Sequence, residues 1–149
     1  MSKDPIKVMN DLIQLDRDAI HAYQQAIEAC EVPAIRAKLT EFQGDHQRHV
    51  RDLDAKVRSM GGEPPAGRDI KGFFIEGFTA LTSLGDRSAL VAMRTNEELT
   101  TRTYRTALEQ TLPADVSALI EENYKDEQRH LNWIKEALDT RAWEKPRAA

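Results

Sequence analysis

Apolar residues recur three and four positions apart through four long stretches of the chain, with polar residues filling the positions between. From Ile6 to Ala29 the series Met9, Leu12, Ile13, Ala19, Ile20, Tyr23, Ala26 and Ile27 marks one face of a helix. Pro33, a favourable first helical residue, opens a second helix whose inward positions are Ile35, Leu39, Phe42, Leu53 and Val57. Gly61 and Gly62 end it. After Asp86, read as an N-cap, a third helix carries Leu90, Met93, Tyr104, Ala107 and Leu108. LPAD turns the chain back into a fourth with Val116, Ile120, Leu131, Ile134 and Leu138, expected to fray into the polar tail RAWEKPRAA. No segment alternates as a strand.

The connections set the topology. Helices one and two are joined tightly, as are three and four, so each pair predicts an antiparallel hairpin, at about 4–60 and about 85–143. Between them GGEPPAG is the only Pro/Gly-dense segment, and Ile70, Phe73, Phe74, Phe78 and Leu81 predict a short apolar helix after it. This crossover, about 61–84, is long enough to run the length of a bundle. The expected class is all-α: one four-helix bundle over residues 1–149, with one long crossover.

Composition narrows the function classes. A net charge of -4, with both signs interspersed and no basic arm, argues against a nucleic-acid surface. No apolar run approaches the roughly 20 residues of a membrane span, and MSKDPIKVMN has no apolar signal core, so a cytoplasmic location is expected. The single cysteine, Cys30, reads as a small buried hydrophobe. Phe73, Phe74 and Phe78 are expected to cover the bundle, with a homodimer interface as their other use.

A repeat carries the candidate chemistry. DHQRH at Asp45 to His49 returns as DEQRH at Asp126 to His130, an offset of 81 residues (126 minus 45). The same unbroken register pairs Tyr23 with Tyr104, Ala26 with Ala107, Glu41 with Glu122 and Asp16 with Glu97. A duplicated helical hairpin, packed as a pseudo-twofold bundle, explains one register held across two helices. Asp16 and Glu97 share the apolar stripes of their helices. His46 and His49 lie in line with Leu39 and Leu53, while Glu127 and His130 lie in line with Ile120 and Ile134.

Six polar side chains therefore point at one level of one core. Carboxylates there cost several kcal/mol each unless protonated, paired, hydrated or bound to a cation. Three explanations are open. One is a structural layer of hydrogen bonds and ion pairs, copied by the duplication. Another is a metal site, since carboxylate oxygen and imidazole nitrogen are normal ligands of iron, manganese and zinc, and an i, i+3 pair directs two donors at one ion. The third is metal-free acid–base chemistry, for which no cleft is visible in the sequence.

These residues resemble the ferritin-like superfamily, including rubrerythrin and bacterioferritin. Its di-iron members use one carboxylate from each of two helices and a Glu-x-x-His pair from each of the other two. The single long crossover matches that wiring. The resemblance implies a metal centre of Asp16, Glu97, Glu127 and His130, with His46 and His49 standing where the second pair belongs. It implies Tyr23 and Tyr104 as donors to the single carboxylates, where ordinary core aromatics are the alternative. GGEP, the apolar crossover and LPADVSALIEENYKDEQRHLNWI are similar to a bacterial ferritin-like family described as a domain of unknown function. The implied cofactor is iron, or manganese or zinc, as one or two ions. Its activity would be of the ferroxidase or peroxidase type on dioxygen or peroxide. The other function class is a non-enzymatic structural or stress-related bundle with a relic polar layer. Two departures stand out: His46 replaces a carboxylate, and Asp16 is one methylene shorter than Glu. Three carboxylates offer -3 against the +4 of two divalent ions, which leaves an asymmetric pair or a single ion open. No Cys-x-x-Cys pair offers an electron relay, so the electron donor is unidentified.

Overall fold

A computed structural model describes residues 4–66 and 85–144, and among these the chain forms four helices and no strand. They are α1 (Pro5–Ala29), α2 (Pro33–Ser59), α3 (Asp86–Leu108) and α4 (Ala114–Asp139). Asp4 starts α1 by accepting the Ile6 N–H at 3.0 Å, with Pro5 at the first helical position, where its missing N–H costs nothing. The end of α2 follows from Gly61 at φ +80°, a left-handed conformation that suits glycine. Its N–H donates to the Arg58 carbonyl at 3.0 Å and that of Gly62 to Val57 at 2.9 Å, the paired bonds of a Schellman motif. Gly62 lies so close to α1 that a Cβ there would stand 2.8 Å from Ile6 Cγ2.

The start of α3 differs from expectation. Gly85, at φ +116°, precedes the helix, and Asp86 is its first residue rather than its cap. Its carboxylate instead accepts the backbone N–H groups of Glu31 at 2.9 Å and Val32 at 3.0 Å. Those donors sit at the entrance to α2, which has no side-chain cap of its own. Asp86 thus ties α3 to the turn between α1 and α2, at the end of the bundle opposite Gly62. The two ends are separated by the 25-residue α1, about 38 Å at 1.5 Å per residue. The predicted crossover helix from Ile70 to Leu81, with Phe73, Phe74 and Phe78, lies outside the described residues.

α1 packs along α2 and α3 along α4, while α1–α3 and α2–α4 contacts close the ring. The apolar core falls into two clusters. One includes Ile27, Ile35, Leu39, Phe42, Leu90 and Ile134; the other Met9, Leu12, Leu53, Val57, Val116 and Ile120. Each such side chain contributes roughly 1.5–3 kcal/mol when fully buried. Cys30 is buried with the first cluster, its thiol pushed up to about 12 by burial and by Asp86. Trp143 also packs there, so the chain does not fray directly after α4 as expected. No described helix is long and apolar enough to cross a membrane.

Candidate metal centre

Between the two apolar clusters lies a layer of polar side chains. Asp16 on α1, His46 and His49 on α2, Glu97 on α3, and Glu127 and His130 on α4 are all fully buried. All six predicted residues converge there, and the two predicted tyrosines bridge the hairpins. Tyr23 donates its hydroxyl proton to Glu97 Oε2 at 2.5 Å, and Tyr104 donates to Asp16 Oδ2 at 2.5 Å. Inside each hairpin the i, i+3 spacing turns a histidine Nδ1 toward the neighbouring acid. His49 stands 3.1 Å from Asp16 Oδ1, and His130 stands 2.7 Å from Glu97 Oε2.

The outer nitrogens of these histidines reach the aspartates that open the two repeated stretches. His49 Nε2 is 2.9 Å from Asp126 Oδ2, and His130 Nε2 is 2.8 Å from Asp45 Oδ2. Each aspartate therefore serves the histidine of the opposite hairpin. Arginines complete the crossing: Arg48 pairs with Asp126, and Arg129 with Asp45 at 2.5 Å. The exchange between hairpins was not legible in the sequence, because it depends on how closely α2 and α4 approach.

Charge in the layer follows from these contacts. Each imidazole has a carboxylate at both nitrogens. Burial opposes charging His49, but Asp16 and Asp126 outweigh it and raise its pKa to about 11. Burial likewise opposes the charged forms of His46 and His130, and the carboxylates around them raise both. Asp16 and Glu97, although buried, are held below the usual carboxylate range by the histidines facing them. Glu127 goes the other way: burial, reinforced by repulsion from Glu97, raises it to about 7. Both tyrosine hydroxyls are pushed far up by burial and by the acids they donate to, so they remain protonated donors. Without a metal, the layer is a nearly neutral set of imidazolium–carboxylate contacts.

Beyond the pairing of Asp16 with Glu97, the twofold pattern breaks at three further places. His46 stands opposite Glu127, its Nδ1 2.6 Å from Asp16 Oδ1 and its Nε2 3.3 Å from Glu97 Oε2. Thr100, in register with Ala19, puts its hydroxyl 2.5 Å from Glu97 Oε1 and 2.8 Å from Glu127 Oε2. Asn123, in register with Phe42, donates to the Tyr104 hydroxyl at 3.4 Å, whereas Phe42 stacks on His130 with ring centroids 4.3 Å apart. Thr100 and Asn123 were not singled out from the sequence. The available signal was helical spacing, since Thr100 is three residues after Glu97 and Asn123 four before Glu127.

This donor set suits a transition-metal ion. Glu127 Oε1 is buried without a hydrogen-bond partner, although His49 Nδ1 lies 3.2 Å and His46 Nδ1 3.5 Å away. One donor atom from each of Asp16, His46, His49 and Glu127 lies within 4.8 Å of the others, and the same holds for His46, Glu97, Glu127 and His130. Imidazole nitrogen with carboxylate oxygen is a usual environment for iron, manganese and zinc. His46 and Glu127 belong to both groups.

Known proteins agree with the architecture. The family model for a domain of unknown function, DUF2383, matches residues 4–110. Among curated proteins none matches. A two-domain protein from Anabaena variabilis, with DJ-1/ThiJ/PfpI-like and ferritin-like domains, superposes at TM-score 0.78 and 15% identity. That alignment covers 98% of this chain and 39% of the other, so the chain spans well under half of that protein. A dodecameric thioferritin, the bacterioferritin-related protein of Bacteroides fragilis, aligns at TM-score 0.76 and 15% identity over 93% and 86% of the two chains. Ferritin-like, diiron-carboxylate proteins of Bacillus anthracis align at TM-score 0.74 and 20% identity over 93% and 99%. At these identities the likeness establishes the fold, a ferritin-like four-helix bundle.

Proposed function

The chain belongs to the DUF2383 family, and from that premise we propose that it is a ferritin-like metal-binding protein centred on Asp16, His46, His49, Glu97, Glu127 and His130. The observation that carries this reading is Glu127 Oε1, a fully buried carboxylate oxygen that makes no well-aligned hydrogen bond among the described residues and faces two imidazole nitrogens, His49 Nδ1 at 3.2 Å and His46 Nδ1 at 3.5 Å. Leaving such an atom unsatisfied costs about 1–3 kcal/mol, more when charged, and a bound cation removes that cost. The likeness to proteins described as diiron-carboxylate adds support from the fold.

Iron is the first ion expected, with manganese or zinc as alternatives, as one ion or two. When bound, iron supplies electron exchange with dioxygen or peroxide, in the manner of a ferroxidase or peroxidase. The chain's own contribution is positional. Tyr104 holds the outer oxygen of Asp16, Tyr23 holds the Glu97 oxygen that faces His130 and His46, and Thr100 holds one oxygen of Glu127. Asp126 and Asp45 fix the tautomers of His49 and His130 by accepting from their outer nitrogens, leaving Nδ1 inward. The apolar clusters above and below exclude bulk water from the layer.

A second reading, a structural or stress-related bundle with a relic polar layer, draws support from the balance of three imidazoliums against three acids. One experiment separates them. Protein purified without chelator or affinity metal is analysed for metal, then melted with and without added Fe(II), Mn(II) and Zn(II). Ligand at about 100 times its Kd stabilises the native state by about 2.7 kcal/mol, a rise of several degrees in Tm that Asp16→Ala abolishes. Metal-free protein whose Tm none of the three ions moves would favour the structural reading.

A further inference from the structure

The two overlapping donor groups are unequal, and the inequality bears on how many ions the layer takes. We infer that Asp16 Oδ1, His46 Nδ1, His49 Nδ1 and Glu127 Oε1 form a preorganised four-coordinate site for a single divalent ion of the zinc class. Glu97 and His130 act around it as positioning residues. This rests on the metal-binding reading and departs from its two-ion form.

Spacing is the first ground. His46 Nδ1 stands 2.6 Å from Asp16 Oδ1 and 3.5 Å from Glu127 Oε1. His49 Nδ1 stands 3.1 Å from the same Asp16 oxygen and 3.2 Å from the same Glu127 oxygen. A tetrahedral ion with bonds of 2.0–2.1 Å to nitrogen and oxygen separates its ligands by about 3.3 Å. Three of these four distances are already within a few tenths of that value. The shortest is a hydrogen bond that the ion would replace.

Availability is the second ground. Among the described residues these two carboxylate oxygens approach no donor but the two imidazole nitrogens of the same group, so an ion entering there displaces only contacts among its own ligands. Glu97, by contrast, is saturated. Its Oε2 meets the Tyr23 hydroxyl, His130 and His46, and its Oε1 meets Thr100. An ion bound through Glu97 Oε2 would have to compete with a tyrosine donor at 2.5 Å.

The outward atoms supply the third ground. All four ligands are held from behind: Asp16 Oδ2 by Tyr104, Glu127 Oε2 by Thr100, His49 Nε2 by Asp126 and His46 Nε2 by Glu97. Ligating histidines characteristically donate their other N–H to a carboxylate in this way. His46 sets the limit of one ion, because a neutral imidazole has one lone pair. With Nδ1 on the ion, its Nε2–H donates to Glu97 and cannot ligate a second. Charge agrees, since two carboxylates and two neutral imidazoles balance one divalent cation. Four protein donors leave no solvent position, the pattern of a structural or sequestering site.

The test titrates chelator-stripped protein with Zn(II) by calorimetry and with Co(II) by visible absorption. One equivalent should bind, cobalt should show the intense visible bands of four-coordinate geometry, and His49→Ala should abolish both. Glu97→Gln should weaken binding about 10-fold to 100-fold, as loss of an orienting carboxylate does, while keeping the four-coordinate spectrum. Binding of two equivalents, a six-coordinate cobalt spectrum, or loss of the ion in His130→Ala as complete as in His49→Ala would overturn the single-ion site and leave metal binding standing. No binding of either ion by the wild-type protein would remove both.

Discussion

The two halves of the buried layer share a plan and differ in what their acids have left to offer. Around Glu97, every carboxylate oxygen is taken by a hydroxyl or an imidazole, and Phe42 stacks on the accompanying His130. Around Asp16, one oxygen is held by Tyr104 while the other faces only histidines, and Glu127 brings an unpartnered oxygen to the same point. The repeat gives each half a carboxylate, a tyrosine, a histidine and an outer aspartate. Four unmatched pairs, Asp16 against Glu97, His46 against Glu127, Thr100 against Ala19 and Asn123 against Phe42, decide that one half closes on itself while the other stays available. A repeated motif can thus keep its geometry and still divide its roles, because hydrogen-bond capacity is settled atom by atom.

Four measurements on the metal-free protein would break or sharpen this contrast. The largest effect is expected from Glu97→Ala, which strips His46 and His130 of a shared carboxylate and leaves buried charge uncompensated. Loss of a buried partner of this kind costs about 3–5 kcal/mol, read from urea denaturation at pH 6. A cost under 1 kcal/mol would mean that this half is not closed.

Next come the bridging tyrosines. Tyr23→Phe and Tyr104→Phe each remove one hydrogen bond to a charged acid, for about 1.5–3 kcal/mol. Tyr104→Phe should cost the more of the two, because it also removes the acceptor of the buried Asn123 amide. A larger cost for Tyr23→Phe would show that the Asn123 contact adds nothing.

The pH dependence should be smaller at any one pH but directional. His49, raised from 6.5 to about 11, contributes stability that is fully present below pH 6.5 and lost as the pH rises toward 11. Glu127, raised from 4.5 to about 7, favours its protonated form in the fold, so its contribution is also lost as the pH rises from 4.5 to 7. Asp45 and Asp126, depressed by His130 and His49, add stability that disappears as the pH falls below their ordinary 3.8. Metal-free Tm should therefore peak near pH 4–5 and decline on both sides. Metal affinity should run oppositely over the neutral range, since ligation displaces protons from the histidines. A metal-free Tm that rises between pH 6 and 9 would contradict the imidazolium layer.

The smallest effect is expected from Glu127→Gln. Below pH 7 the native carboxyl is already protonated, and the amide keeps a hydrogen-bond partner for Thr100, so metal-free stability at pH 6 should change by less than about 1 kcal/mol. The decline in Tm between pH 4.5 and 7 should flatten in this variant. Persistence of that slope would assign it to another group.

The fold was largely legible, and for local reasons. Met9, Leu12, Tyr23 and Ala26 declare a helix face by spacing alone, and Gly61 marks a left-handed helix end that few other residues tolerate. The six candidate residues were legible because each interrupts an apolar stripe, where a polar side chain is costly without a partner. Thr100 was not, because a threonine within a helix gives no sign of which carboxylates surround it. Nor was the role of Asp86, whose partners lie 54 and 55 residues back in the chain.

The sequence by itself determined the four helices, their pairing by duplication and the level at which polar groups meet. These follow from periodicity and connection length, properties carried along the chain. Only the tertiary structure decided that Asp45 serves His130 and Asp126 serves His49, that Glu97 is saturated, and that Glu127 Oε1 is left over. Those outcomes turn on differences of a few tenths of an ångström between side chains of different helices. Hydrogen bonding is sensitive to such differences, and residue spacing does not encode them.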